Sequence, residues 1–360
     1  MKQLLAIAWG AVLIACFMAG DAACCTSFGF TDGEHLIFAK NYDWEVDDGL
    51  VVVNKRGLRK TALGPADNIP LQWVSRYGSI TFNQYGRDIP SGGMNENGLV
   101  IEVLWLNETR YPEPDSRKGL GTQEWIQYQL DNSADIGEVM ATDQYLRIRT
   151  RGPRVHYFIA DKNGDCASVE FLDGHMEVHT GETLRFKVLA NHTYEKSLAY
   201  AASRKPFGGS GNTSSGPDSL SRYTRAALML KDYGKTYSGS PVTNAFDMLT
   251  RVAQGDYTKW QIVYDIRNQA IHFKTAGNQS VRTVEFSSFD FSCASPVKTL
   301  DINAMLAGNV SNRFSVYSTT ANRRLIQTAY QKTEFLTKIA DDVIDRISTH
   351  PDTATCDPVK

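Results

Sequence analysis

The 360-residue sequence is poor in the features that mark several large protein classes. It has no CxxC pair, which leaves a structural zinc site with little support. HExxH, phosphate-loop and dinucleotide-binding patterns are also absent. His175 and His179 are four apart, but they lie beside Asp173-Gly174 on a predicted strand and read as surface residues. No metal or cofactor is therefore expected. Charge of one sign is scarce: 38 Lys and Arg stand against 40 Asp and Glu, with no long basic run. That balance argues against nucleic acid as a partner. Beyond the first residues no apolar run reaches spanning length, so stable membrane insertion is not expected.

The exception is the start. Lys2 precedes an apolar run from Leu4 to Ala15, trailing into Phe17 and Met18, and then Ala19, Gly20, Ala22 and Ala23. A charged n-region, an apolar h-region and a small-residue exit read as a secretory signal over residues 1–24. Residues 25–360 then form one exported domain, periplasmic or secreted. Ala22 and Cys24 suit a cut before Cys25; Gly20 and Ala22 suit a cut before Ala23 that leaves two residues to trim. Leu13-Ile14-Ala15-Cys16 resembles a lipobox. It ranks below simple cleavage, because lipidation there keeps Cys25 internal until a second cut. Export allows disulfides to persist. Of the six cysteines, Cys293 and Cys356 are one candidate pair, though spacing alone does not fix it.

After Cys25 the chain reads as short strands with hairpin signals. Thr26 to Phe30 and His35 to Asn41 flank Asp32-Gly33, a strong turn dipeptide. Leu50 to Asn54 and Ile80 to Phe82 are further strands. Gly98 to Leu106 is a long apolar run, as expected of a strand covered on both faces. Val155 to Ala160, Ser168 to Leu172 and Met176 to His179 form a meander, followed by Lys187 to Asn191, Gln261 to Asp265 and Ala270 to Lys274. Helical patterns cover Thr122 to Leu130, Asp135 to Gln144, Ser219 to Asp232 and Val242 to Ala253. The longest, Arg323 to Ile347, carries Leu325, Ala329, Leu336, Ile339, Val343 and Ile347 on one stripe, which should face its own domain. Arg204 to Ser219, rich in Gly, Ser and Pro, is a predicted loop. Strand-rich segments broken by helical pairs indicate a layered α+β fold without a βαβ repeat.

Cys25 is where the chemistry starts. A thiol is a weak nucleophile until a base takes its proton. A free α-amine titrates near about 8 and can serve as that base near neutral pH. If Cys25 is the mature N-terminus, the amine and the thiol share one residue, and no partner histidine is needed. The competing reading is a buried structural thiol.

Three groups of residues bear on that choice. Cys25-Thr26-Ser27, Lys40-Asn41-Tyr42-Asp43-Trp44 and Gly93-Met94-Asn95-Glu96-Asn97-Gly98-Leu99 resemble the choloylglycine hydrolase and penicillin V acylase family of N-terminal-nucleophile hydrolases. Val188-Leu189-Ala190-Asn191 and Ser221-Arg222-Tyr223 extend the likeness in the family's order. The resemblance implies a four-layer αββα sandwich, two antiparallel sheets between helical layers, and hydrolysis of a linear amide through a thioester on Cys25. It implies that Asp43 holds the α-amine, that Asn191 donates to the oxyanion and that Arg222 sets the electrostatics around the thiolate. Each of these has a plainer reading as a strand-end cap, a turn residue and an ion-pairing arginine.

The family commonly has Arg before Asn-x-Asp, and here that residue is Lys40. It keeps the charge but lacks the planar fork. Trp44 and Trp105 fall where the family lines its substrate pocket. Aromatic walls there favour phenoxyacetyl or fatty-acyl groups over a conjugated bile acid. The expected partner is thus a small N-acyl amide. N-acyl homoserine lactone acylase and ceramidase-like amidase are alternatives, as is an exported binding protein with a relict site. Assembly into a homo-oligomer is left open.

Overall fold

A computed structural model describes residues 25–64, 70–150 and 152–357. The leader, its cleavage site, the lipobox cysteine Cys16 and Cys24 lie outside the described residues.

Two strands open the fold. β1 (Thr26–Asp32) and β2 (His35–Asp43) pair antiparallel across the Asp32-Gly33 turn, with Thr26 opposite Asn41 and Asp32 opposite His35. Gly33 has φ 57°, the left-handed backbone such a turn demands and glycine supplies. β1 and β2 belong to a seven-stranded sheet, where β2 also pairs with Thr258–Asp265 and β1 with Val188–Leu189. A nine-stranded sheet contains Leu50–Asn54, Ser79–Asn83, Gly92–Asn95, Val100–Trp105, Val155–Ala160 and Cys166–Leu172. Pairing in both is antiparallel except where Asn278–Glu285 meets the short Gly308–Asn309.

Period-2 patterning explains the layering. Val100, Leu104, Phe158 and Ala160 face the main core, shared with Phe38, Val263 and Tyr264 of the other sheet. Ile101, Val103, Tyr157 and Ile159 alternate with them and enter a second core. That outer core is covered by α1 (Thr122–Asn132) and α2 (Ile136–Ala141). The other sheet is covered by α3 (Tyr194–Ala202), α4 (Ser219–Lys231), the one-turn α5 (Tyr233–Thr236) and α6 (Pro241–Arg251), with Ala226, Ala227, Ala245 and Leu249 in the main core. Helices, sheet, sheet and helices give the expected αββα order.

The helical stripe expected over Arg323 to Ile347 is divided. α7 (Thr319–Lys332) stops at Thr333, a 3-10 turn covers Glu334–Leu336, and α8 (Asp341–Thr349) follows. Thr333 is extended (φ −99°, ψ 110°) and fully buried, and its hydroxyl is engaged by Tyr85 at 3.1 Å. The apolar stripe stays on one side, so the two helices pack on each other through Ile326, Ile344 and Ile347. Two further expectations need amendment. The strand at Lys187 to Asn191 is only Val188–Leu189, and the predicted loop after Arg204 contains a 3-10 turn at Lys205–Phe207. Cys293 and Cys356 are disulfide-bonded, 63 residues apart in sequence. Among the described residues no helix is long and apolar enough to cross a membrane.

Candidate active site

Cys25 stands at the start of β1 and is 6% exposed. Its Sγ lies 4.0 Å from the backbone oxygen of Asp43, at the end of the neighbouring strand. Burial pushes the thiol up to about 11, against the opposing pull of Lys40 and Arg222, while Asp43 adds to the rise. A thiol pushed in that direction needs a base before it can act as a nucleophile.

Arg222 joins the site together. It lies in the first turn of α4, whose N-cap Asp218 accepts from the Ser221 N–H. Arg222 is fully buried. Nη1 donates to the Cys25 carbonyl at 2.8 Å and to the Thr26 hydroxyl, Nη2 to Asn191 Oδ1 at 2.9 Å, and Nε to the Pro217 carbonyl at 2.8 Å. The planar fork thus spans two residues on β1 and one on the segment after Val188–Leu189. Asn191 is held from three directions. Its backbone N–H donates to Ser219 Oγ at 2.8 Å, its Oδ1 accepts from Arg222, and its Nδ2 donates to the Trp105 carbonyl at 2.8 Å. With the carbonyl side taken by Arg222, the amide's NH₂ is turned towards Trp105; it has two N–H groups, and one remains beyond that bond.

Asp43 is also buried. Oδ1 accepts from the Thr258 hydroxyl at 2.6 Å and Oδ2 from Gln254 Nε2 at 2.9 Å. Burial raises its pKa, while Arg222 and the two hydrogen bonds oppose the rise.

Lys40 lies on β2 behind the thiol. Its ammonium donates to Glu102 Oε2 at 2.6 Å, to the Val103 carbonyl at 2.6 Å and to the Ser91 carbonyl at 3.5 Å. Both members of the Lys40–Glu102 pair are fully buried. Tyr264 donates to the other Glu102 oxygen. A Cβ at Gly92 would lie 2.1 Å from Glu102 Oε2, so glycine is what lets the carboxylate approach. Lys40 thus acts on Cys25 through space, with its hydrogen bonds directed elsewhere.

Cys25, Asp43, Trp44 and Trp105 open onto a mainly apolar cavity of about 350 Å³. Trp44 and Trp105 have ring centroids 6.0 Å apart at 31°. Their indole N–H groups donate to Tyr85 Oη and Asn107 Oδ1, each at 2.7 Å. Polar groups line the cavity as well, among them Asp43, Gln123 and Glu124, which accepts from Arg149 at 2.6 Å.

Of the seven residues singled out in the sequence, Cys25, Asp43, Trp44 and Trp105 line the cavity, while Arg222 and Asn191 are hydrogen-bonded to Cys25 and Trp105 from outside it and Lys40 is buried against Glu102. Those missed are mostly supports. Glu102 is a lone acid in an apolar run, and that mismatch was the one local signal. Gln254 and Thr258 carry no signal, because they reach Asp43 across 211 and 215 residues. His156 bridges Glu170 at 2.9 Å and the Ala190 carbonyl at 2.8 Å, while Glu170 accepts from the Tyr194 N–H at 3.0 Å. This buried trio brackets Asn191 from behind.

Comparison with known proteins places the chain in a family. Residues 25–299 match the model of the linear amide C–N hydrolases, choloylglycine hydrolase family. A penicillin V acylase from Pectobacterium atrosepticum is 26% identical over 312 residues, covering 74% of this chain and 82% of its own. The structure of penicillin V acylase from Agrobacterium tumefaciens superposes with a TM-score of 0.71 at 26% identity, covering 82% of this chain and 98% of that one. A conjugated bile acid hydrolase from Clostridium perfringens shares the fold, with a TM-score of 0.66 at 17% identity over 79% of this chain and 98% of its own. With the match spanning most of the chain and opening on Cys25, this protein belongs to the choloylglycine hydrolase family of linear amide C–N hydrolases.

Proposed function

We propose that the protein is an exported acylase in which Cys25, freed as the N-terminal residue, cleaves N-acyl amides with an apolar acyl group. The Cys25 α-amine takes the thiol proton, and Sγ attacks the acyl carbonyl. The developing oxyanion accepts from Asn191 Nδ2. As the C–N bond breaks, the proton passes to the leaving amine, and the acyl group stays on Sγ as a thioester. Water then adds to the thioester, releases the carboxylic acid and returns the proton to the thiol. Asp43 holds the amine, and Lys40 and Arg222 favour the thiolate through their charge.

The observation that carries this reading is the reach of Arg222 from Cys25 to Asn191, which fixes nucleophile and amide donor on one cation. A structural thiol would need no such tie. The raised thiol pKa supports a mechanism that brings its own base. The Cys293–Cys356 bridge supports export, since disulfides persist in oxidising compartments. Paired indoles suit a flat phenoxyacetyl group or an aliphatic chain, while a rigid steroid needs a broader opening.

The test is liquid chromatography of products from penicillin V, long-chain N-acyl homoserine lactones, and glycine- and taurine-conjugated bile salts. The first two classes should be cleaved better than the bile salts. Cys25→Ser should lose turnover while remaining folded, because a hydroxyl is a far poorer nucleophile here. Bile salts preferred tenfold or more would overturn the pocket reading, and wild-type rates in Cys25→Ser would overturn the nucleophile.

A further inference from the structure

The family match ends at residue 299, yet part of the cavity wall comes from later in the chain. Tyr330, Phe335, Leu336 and Ile347, all from the α7–α8 hairpin, line the same space as Cys25. The hairpin is fastened to the body at several points. Ile326, Ile344 and Ile347 form a small cluster with Leu63 and Ile89. Asn322 accepts from the Arg87 N–H at 2.9 Å and donates to the Ser348 carbonyl at 3.0 Å, linking both helices to the body. His350 Nε2 meets the Thr61 carbonyl at 2.7 Å, and the Cys293–Cys356 bridge closes the end.

One tie runs directly to the substrate side. The Trp44 indole N–H donates to Tyr85 Oη at 2.7 Å. Tyr85 Oη in turn shares a hydrogen bond with Thr333 Oγ1, 3.1 Å away in the break between α7 and α8, in which either hydroxyl can donate. Burial pushes the Tyr85 hydroxyl up to about 12, so it keeps its proton. The interruption of the helical stripe thus has a use: it presents Thr333 to Tyr85 and turns Phe335 and Leu336 towards the cavity.

We propose that the α7–α8 hairpin is the specificity-determining wall of the acyl pocket. Tyr330, Phe335, Leu336 and Ile347 meet the distal part of an uncharged, extended acyl chain, and Thr333, through Tyr85, fixes the Trp44 ring against which the proximal part lies. This rests on the reading of Cys25 as the nucleophile for N-acyl amides. The stretch of the occupant that meets the hairpin is uncharged because the hairpin brings only apolar side chains and one phenol to the cavity. The occupant is extended because one continuous space reaches from Cys25 to these side chains, and about 350 Å³ is the size of a pocket for a whole small molecule.

The experiment is kcat/KM on straight-chain N-acyl amides from butanoyl to dodecanoyl, all with the same leaving amine. Leu336→Ala should lower the dodecanoyl-to-butanoyl ratio about tenfold, the scale expected for lost apolar contact in a binding pocket. Leu336→Trp should move the best substrate to a shorter chain. Phe335 is 41% exposed, so Phe335→Ala should fold normally and shift the ratio in the same direction as Leu336→Ala. Turnover by the wild type with an equal change across the series in all three variants, or with none, would overturn the role of the hairpin and leave the function standing. Failure of the wild type on every amide would overturn the function and this inference with it.

Discussion

Two walls face each other across the cavity, and they are built by different means. On the sheet side, Arg222, Asp43 and Lys40 are fully buried, and each polar head is held by several named partners. The hairpin side has a small cluster of its own, a half-exposed Phe335, and surface ion pairs such as Lys332 with Asp48. A reacting group must be held within a fraction of an ångström, and a buried hydrogen-bonded frame provides that. An apolar wall needs only shape, and here two helices supply it, held to the body by a small apolar cluster, the Asn322 hydrogen bonds and the disulfide. Regions with few buried contacts also open most readily. The proposed mechanism thus asks for a rigid frame around Cys25 and for a more adjustable wall against the acyl group.

Within the rigid wall, the two buried cations make a sharper contrast. Arg222 donates to Cys25, Thr26, Asn191 and Pro217, while Lys40 donates to Glu102 and to backbone carbonyls. Arg222→Met should therefore have the largest effect on turnover, about a hundredfold or more in kcat/KM, as for loss of an oxyanion donor. Lys40→Met should lose activity too, and in addition strand Glu102 as an unpaired buried carboxylate, at a cost of roughly 3–5 kcal/mol in stability. Pairing Lys40→Met with Glu102→Gln should recover much of that stability. In the double variant, alkylation of Cys25 by iodoacetamide at neutral pH should still be slower than in the wild type, because Lys40 lowers the thiol pKa. Alkylation and turnover at wild-type rates would reduce Lys40 to a structural residue.

A smaller effect belongs to the other wall. Replacing Cys293 and Cys356 together by Ser releases a 63-residue separation, which chain entropy values at up to about 4 kcal/mol. Because the tether ends on the hairpin side, the loss should be local. Amide exchange measured by mass spectrometry should speed up over 319–349 more than over β1 and β2. Uniform loss of protection across the chain would show that the two walls do not differ in stability.

The same division governs what could be read in the sequence. β1, β2 and the turn between them were legible because a period of two and Asp-Gly are local signals. Gly98 to Leu106 was legible as a doubly covered strand because both cores draw on it. Cys25 was legible from its place directly after the leader, but the other six candidate residues were legible only through a resemblance of motifs, since nothing local brings Arg222 to Cys25 across 197 residues. Glu102 shows why the rest was hidden: an acid in an apolar run announces a partner without saying which. The break at Thr333 was hidden for a related reason. Its stripe satisfies helical periodicity on both sides, and the tyrosine whose hydroxyl meets Thr333 in the break is 248 residues away.

Everything proposed for the rigid wall turns on the amine of Cys25. Intact-mass measurement of the exported protein, combined with activity on the same sample, tests it most directly. The mechanism predicts an active chain whose mass corresponds to Cys25 through Lys360. A stable, fully active form that retains Cys24 would contradict it, because the α-amine of Cys25 would then be locked in a peptide bond and the thiol would need another base.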